Sequence, residues 1–176
     1  MNHLNIEIKA RCPNPEFVRE VLWQENAIFK GIDHQTDTYF NCKYGRLKLR
    51  EGNIENHLIH YDREDIDGPK KSLVTLYRPE PQSNLKEILI KSMGIFVIVK
   101  KKREIYFIEN VKFHIDIVEN LGSFVEIEAI DSNGNFDANQ LKRQCETYME
   151  LFEIKNEDLI NCSYSDMLLS LTNNKS

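Results

Sequence analysis

The chain has 176 residues, with 23 Lys plus Arg against 28 Asp plus Glu and a formal net charge of -5. A chain of this size removes roughly two-thirds of its unfolded surface from water around a single core, and its acidic balance excludes general electrostatic attraction to nucleic acid or to an anionic membrane. Any anion site is therefore local. Cys12, Cys42, Cys145 and Cys162 are scattered without a C-x-x-C pair, and no N-terminal apolar run has the form of a signal peptide or a membrane span. The expectation is a soluble, cytoplasmic protein with free, chemically silent thiols.

Leu4 to Arg11 alternates, with Leu4, Ile6, Ile8 and Ala10 on one face and Asn5, Glu7, Lys9 and Arg11 on the other, so it reads as a strand. Asn14-Pro15-Glu16 opens a helix, with Phe17, Val18, Val21 and Leu22 at helical spacing. Lys30 to Phe40 and Arg46 to Arg50 are the next strands, separated by turn residues Asn41 to Gly45. Glu55 to Arg63 and Lys71 to Arg78 add two more, divided by an acidic turn ending in Gly68-Pro69. Ser83 is expected to cap a helix through Met93, stopped by Gly94. Three further strands follow, Phe96 to Phe107, Val111 to Val118 and Phe124 to Ile130. Asp137 then starts a helix, with Gln140 at the capping-box position and an apolar stripe through Phe152. Ser165 to Leu171 forms a short terminal helix. The expected organisation is one domain over residues 1–171, with a polar tail at 172–176.

An ordinary half-exposed sheet mixes the signs of its solvated charges. Here they segregate: Lys9, Arg11, Lys48, Arg50, Arg63, Lys101 and Arg103 gather in one group, and Glu7, Asp116, Glu126 and Glu128 in another. Lys100 and Lys102 alternate away from the first group. About eight antiparallel strands can close into a barrel. With helices covering the apolar outer faces, the charged faces would line the lumen, giving an α+β fold built on an eight-stranded antiparallel barrel. A lumen of that kind needs a ligand to relieve its like charges. Lys and Arg suit phosphate oxygens, clustered carboxylates suit Mg or Mn, and a metal-triphosphate satisfies both.

Asn5-Ile6-Glu7-Ile8-Lys9 resembles the E-x-E-x-K signature of CYTH proteins, the family named after class IV adenylyl cyclases and thiamine triphosphatase and counted among the triphosphate tunnel metalloenzymes. Arg46-Leu47-Lys48-Leu49-Arg50, Lys101-x-Arg103, His114-Ile115-Asp116 and Glu126-Ile127-Glu128 follow in the family's order. The resemblance implies that Glu7, Glu126 and Glu128, with Asp116 close by, hold Mg or Mn, and that Lys9, Lys48, Arg50, Lys101 and Arg103 hold a triphosphate. Lys9, Arg50, Lys101 and Arg103 are the implied catalytic cations. Asn5 stands where the signature has its first glutamate. Its carbonyl can still ligate a hard cation, with one negative charge fewer.

N-x-E-x-K at the start resembles a class IV cyclase-like branch, which implies conversion of ATP to cyclic AMP and pyrophosphate. A triphosphatase acting on inorganic, thiamine or nucleoside triphosphate would use the same residues, although no lysine stands near Tyr61 to position an attacking water. A non-catalytic triphosphate or polyphosphate binder is the third possibility. His114 reads as a hydrogen-bonded barrel residue and Tyr39, Tyr61 and Tyr106 as packing residues. The expected partner is a triphosphate-containing small molecule rather than nucleic acid or membrane, and the chain is expected to act as a monomer or homodimer.

Overall fold

Period-two alternation in eight segments closes into one barrel whose two surfaces differ in chemistry. The computed structural model describes residues 4–63 and 70–173. The strands are β1 (Leu4–Arg11), β2 (Ile28–Phe40), β3 (Arg46–Glu51), β4 (His57–Arg63), β5 (Lys70–Tyr77), β6 (Ile95–Ile108), β7 (Val111–Val118) and β8 (Gly122–Asp131). They pair antiparallel in the closed order β1-β5-β4-β3-β2-β6-β7-β8. Helices α1 (Pro15–Gln24), α2 (Leu85–Met93), α3 (Ala138–Leu151) and α4 (Tyr164–Asn173) complete the described fold, with a short 3-10 turn at Asn156–Asp158. This is the expected α+β barrel. None of the described helices is long and apolar enough to cross a membrane.

The main core lies outside the barrel. Ile6, Ile8 and Ala10 of β1, Phe113 and Ile115 of β7, and Val125 and Ile127 of β8 turn outward against Val18 and Leu22 of α1, Leu141 and Cys145 of α3, and Phe152 just after α3. Phe113 is fully buried, its ring 4.7 Å from Tyr148 and 5.7 Å from Phe152, edge-on to each. Each such side chain contributes about 1.5–3 kcal/mol by leaving water. Both covering helices start where the sequence signals: the Asn14 side chain accepts from the Phe17 N–H, and Asp137 and Gln140 form a reciprocal capping box.

A second apolar cluster fills one end of the lumen. Tyr39, Ile59, Tyr61, Val99 and Phe124 meet Tyr164 at the start of α4 there. Arg46 of β3 ties α4 down, donating to Asp166 at 2.7 Å and to Ser163 at 3.1 Å.

Three expectations are corrected at their edges. Helix α2 starts after Asn84 rather than Ser83, and Asn84 makes no side-chain cap. Glu55 and Asn56 precede β4 instead of opening it, because the Asp33 carboxylate accepts the Ile54 and Glu55 N–H groups at 2.9 Å each and draws that backbone away from the ladder. Gly52 makes this possible: a Cβ there would stand 2.5 Å from Asp33 Oδ1. Finally, α4 runs on to Asn173, two residues into the expected tail.

Candidate active site

Alternation from β1, β3, β6, β7 and β8 delivers charged side chains to a lumenal cavity of about 250 Å³. Asn5, Glu7, Lys9, Lys48, Arg50, Lys101, Arg103, Glu126 and Glu128 all line it. The register explains the grouping: Glu7 lies opposite Glu128 and Lys9 opposite Glu126 across β1 and β8, while Arg103 lies opposite Asp116 across β6 and β7. Directly opposed residues sit within about 5.5 Å of one another, so three strands, β1, β7 and β8, suffice to assemble the acidic group.

The cations are organised around Asp37 of β2, which is 1% exposed. Its carboxylate accepts from Arg50 Nε at 2.9 Å and Arg50 Nη2 at 3.0 Å, from Lys48 at 2.9 Å and from Lys101 at 3.0 Å. Burial opposes ionisation of Asp37, but Arg50, Lys101 and Lys48 outweigh it and hold its carboxyl well below the usual range. Lys101 responds in the opposite sense. Burial and the neighbouring Arg103 charge depress its ammonium to about 7 despite Asp37. Aromatic faces supply further support, with Lys9 Nζ 4.2 Å and Lys101 Nζ 5.6 Å from the centre of the Tyr164 ring.

Arg103 joins the two groups. It donates from Nε and Nη2 to Asp116 at 2.7 and 2.5 Å, and from Nη2 to Glu126 at 2.6 Å. Both carboxyls are lowered because Arg103 outweighs their burial. Glu126 also meets Lys9 at 3.2 Å and His114 Nδ1 at 3.1 Å. Burial, Arg103 and Lys112 push the His114 pKa down to about 3, so its imidazole is neutral and donates to Glu126 as an expected barrel hydrogen bond.

Glu128 behaves differently. Burial raises its carboxyl to about 7; Lys112 opposes the rise, while Glu7 and Glu126 reinforce it. Asn5 donates an amide hydrogen to Glu128, and among the described residues its own buried Oδ1 finds no donor. An orphaned carbonyl beside a carboxylate that resists losing its proton suits a hard cation. Among the described residues no three His, Cys, Asp or Glu side chains already converge as a metal shell.

Two expected site residues, Asp116 and Arg11, lie apart from this group. Asp116 is fully buried and does not line the cavity; Arg103 occupies both its oxygens and the Tyr164 hydroxyl donates to Oδ2 at 2.9 Å, so it fixes Arg103 rather than facing the lumen. Arg11 is exposed at the end of β1, 5.6 Å from the Phe124 ring centre. The Arg63 side chain lies outside the described residues. Conversely Asp37, Glu55, Lys112 and Tyr164 belong to the lumen or its support and were not anticipated. Lys112 had a signal, because it shares the parity of His114 and Asp116. Asp37 had one too, as part of the alternating run Asp33, Gln35, Asp37 and Tyr39.

The arrangement is that of a charged tunnel, and a family model described as the CYTH domain matches residues 3–164. The chain belongs to the CYTH family. A Methanocaldococcus jannaschii relative named "Putative adenylate cyclase" is 27% identical over 184 residues, covering 93% of this chain and 98% of its own. Among solved structures, a Pyrococcus horikoshii protein is 26% identical with a TM-score of 0.72, covering 92% of this CYTH chain and 98% of its own. A Hippeastrum protein described as a "Putative adenylyl cyclase" that "reveals a dominant" triphosphatase activity shares the fold, at 14% identity and a TM-score of 0.61, over 96% of each chain.

Proposed function

We propose that this CYTH chain is a metal-dependent, cytoplasmic enzyme that converts ATP to cyclic AMP and pyrophosphate within the barrel. The observation that carries this reading is the juxtaposition in one lumen of Lys9, Lys48, Arg50, Lys101 and Arg103 with Glu7, Glu126, Glu128 and the Asn5 carbonyl, which has no donor among the described residues. Glu7, Glu126 and Glu128, with Asn5, would hold Mg or Mn, while Asp116 sets the orientation of Arg103. The bound cation supplies Lewis-acid stabilisation of phosphoryl oxygens. The residues of the chain supply the rest. Lys9, Arg50, Lys101 and Arg103 neutralise a triphosphate and the charge that develops on departing pyrophosphate, and they need little reorganisation because Asp37 already aims Arg50 and Lys101, Asp116 aims Arg103 and Glu126 holds Lys9.

Two features favour ATP over inorganic triphosphate. Ile59, Val74 and Leu76 give the lumen an apolar stretch from β4 and β5 that suits an organic moiety, and β4 offers no lysine next to Tyr61 to position a water. The name of the Methanocaldococcus relative agrees. A triphosphatase is the second reading, favoured by the activity ascribed to the Hippeastrum neighbour. The readings separate on incubation with ATP, inorganic triphosphate and thiamine triphosphate in Mg or Mn, followed by product analysis. Cyclic AMP with pyrophosphate is the expected result. Orthophosphate together with the corresponding diphosphate, and no cyclic AMP, assigns the chain as a hydrolase, and tight binding without turnover leaves only a binding role.

A further inference from the structure

At the mouth of the cavity away from α4, an anion already sits among the tunnel's cations, and it belongs to the chain itself. Glu55, on the loop between β3 and β4, accepts at Oε2 from Arg50 Nη1 at 2.8 Å and from the Gln35 amide at 3.1 Å, and at Oε1 from Lys112. Arg50 is on β3 and Lys112 on β7, with β2 and β6 between them in the barrel. One carboxylate therefore spans the lumen. Its three donors are a built oxyanion site, since Arg50 is 8% and Gln35 2% exposed.

We infer that Arg50, Lys112 and Gln35 form an oxyanion subsite for the outermost phosphate of a triphosphate, and that Glu55 occupies it as a removable internal stand-in. The inference rests on the lumen being a triphosphate tunnel. Asp37 provides the contrast that makes Glu55 the removable one: Asp37 is a strand residue, 1% exposed, gripping three cations, whereas Glu55 hangs from a loop and lines the cavity. The loop backbone stays fixed by Asp33 and by Asn53, whose side chain accepts the His34 N–H at 2.7 Å. Only the side chain has to swing. Lys112 and Arg50 keep Glu55 ionised against its burial, so an arriving phosphate meets a like charge that must leave.

Two opposed effects follow from removing that charge. Glu55 competes with phosphate, but it also holds Lys112 and Arg50 in place. Competition dominates, because Asp37 grips Arg50 independently through Nε and Nη2 and Lys112 alone loses its guide.

The test is calorimetric titration of inorganic triphosphate into the full chain, without divalent metal and at low ionic strength. Glu55→Gln is expected to bind about tenfold tighter than the wild type, a gain of about 1.4 kcal/mol. Adding Lys112→Gln should cancel most of that gain. Equal or weaker binding by Glu55→Gln overturns the inference while leaving the tunnel reading intact, whereas no binding by any form overturns both. A readout on the wild type guards against a variant that fails to fold. The carboxyl-carbon resonance of Glu55 should shift on saturation with inorganic triphosphate, and a resonance that stays in place under saturated binding contradicts displacement.

Discussion

Exchanging Glu126 and Glu128 together for glutamine should lower metal-dependent turnover by about 10³-fold or more, because a bound cation contributes several kcal/mol to stabilising transition-state charge. The exchange removes two negative charges from the group that would hold the cation and leaves Glu7 and Asn5. The fold should survive: Arg103 keeps its two bonds to Asp116, Lys9 keeps the Tyr164 ring, and Lys112 keeps Glu55. Turnover in Mn, Mn binding by electron paramagnetic resonance and a circular dichroism spectrum check the three parts. Activity within a few-fold of wild type would place the metal elsewhere.

The same residues set a pH dependence. Glu128 retains a proton up to about pH 7, which a cation must displace, so metal affinity rises as pH climbs through that value. Lys101, depressed to about 7, loses its charge over the same interval, so the free protein's affinity for triphosphate falls. The product of the two is a bell-shaped kcat/KM profile. Glu128→Gln should flatten its acid limb, and Lys101→Arg its basic limb.

Arg103→Gln should cost about 3–5 kcal/mol of stability, the range for breaking a buried ion pair from one side. Arg103 is 3% exposed and satisfies Asp116, itself fully buried, and Glu126. Glutamine cannot replace a planar fork that reaches two carboxylates, so Asp116 is left charged with little beyond the Tyr164 hydroxyl. The sign of the pH effect follows from Asp116. Its folded pKa is depressed, so the stability it contributes is present above the ordinary carboxyl value of about 4 and is lost as pH falls through the folded value. The deficit of Arg103→Gln is therefore largest at neutral pH and shrinks below about pH 4. Urea unfolding at pH 7 and pH 3.5 measures it. A loss at pH 7 no larger than at pH 3.5 would mean that Arg103 and Asp116 do not stabilise the barrel as a pair.

Much of the barrel was legible because alternation is a local property. Glu7 and Lys9 on β1, Lys48 and Arg50 on β3, and Glu126 and Glu128 on β8 point where a period of two sends them, and the helices that cover the opposite faces carry their own caps at Asn14 and Asp137. Pairing partners were less visible. Nothing local to Asp37 says that Lys48, Arg50 and Lys101 converge on it, since those contacts join β2 to β3 and β6. Asp116 shares the parity of the lumenal residues, but Arg103 and Tyr164 close over it. Glu55 was assigned to a strand because no propensity reveals that Asp33, 22 positions earlier, would capture its N–H. Tyr164 precedes the expected Ser165 to Leu171 helix and drew no reading of its own, because its place under Lys9 depends on how α4 meets the barrel.

The most direct test of the central claim is a crystal structure with a non-hydrolysable ATP analogue and Mn. The account predicts the triphosphate in the lumen among Lys9, Lys48, Arg50, Lys101 and Arg103, with an anomalous Mn peak beside Glu7, Glu126 and Glu128. An analogue bound on the outer surface, or Mn remote from those carboxylates, would contradict it.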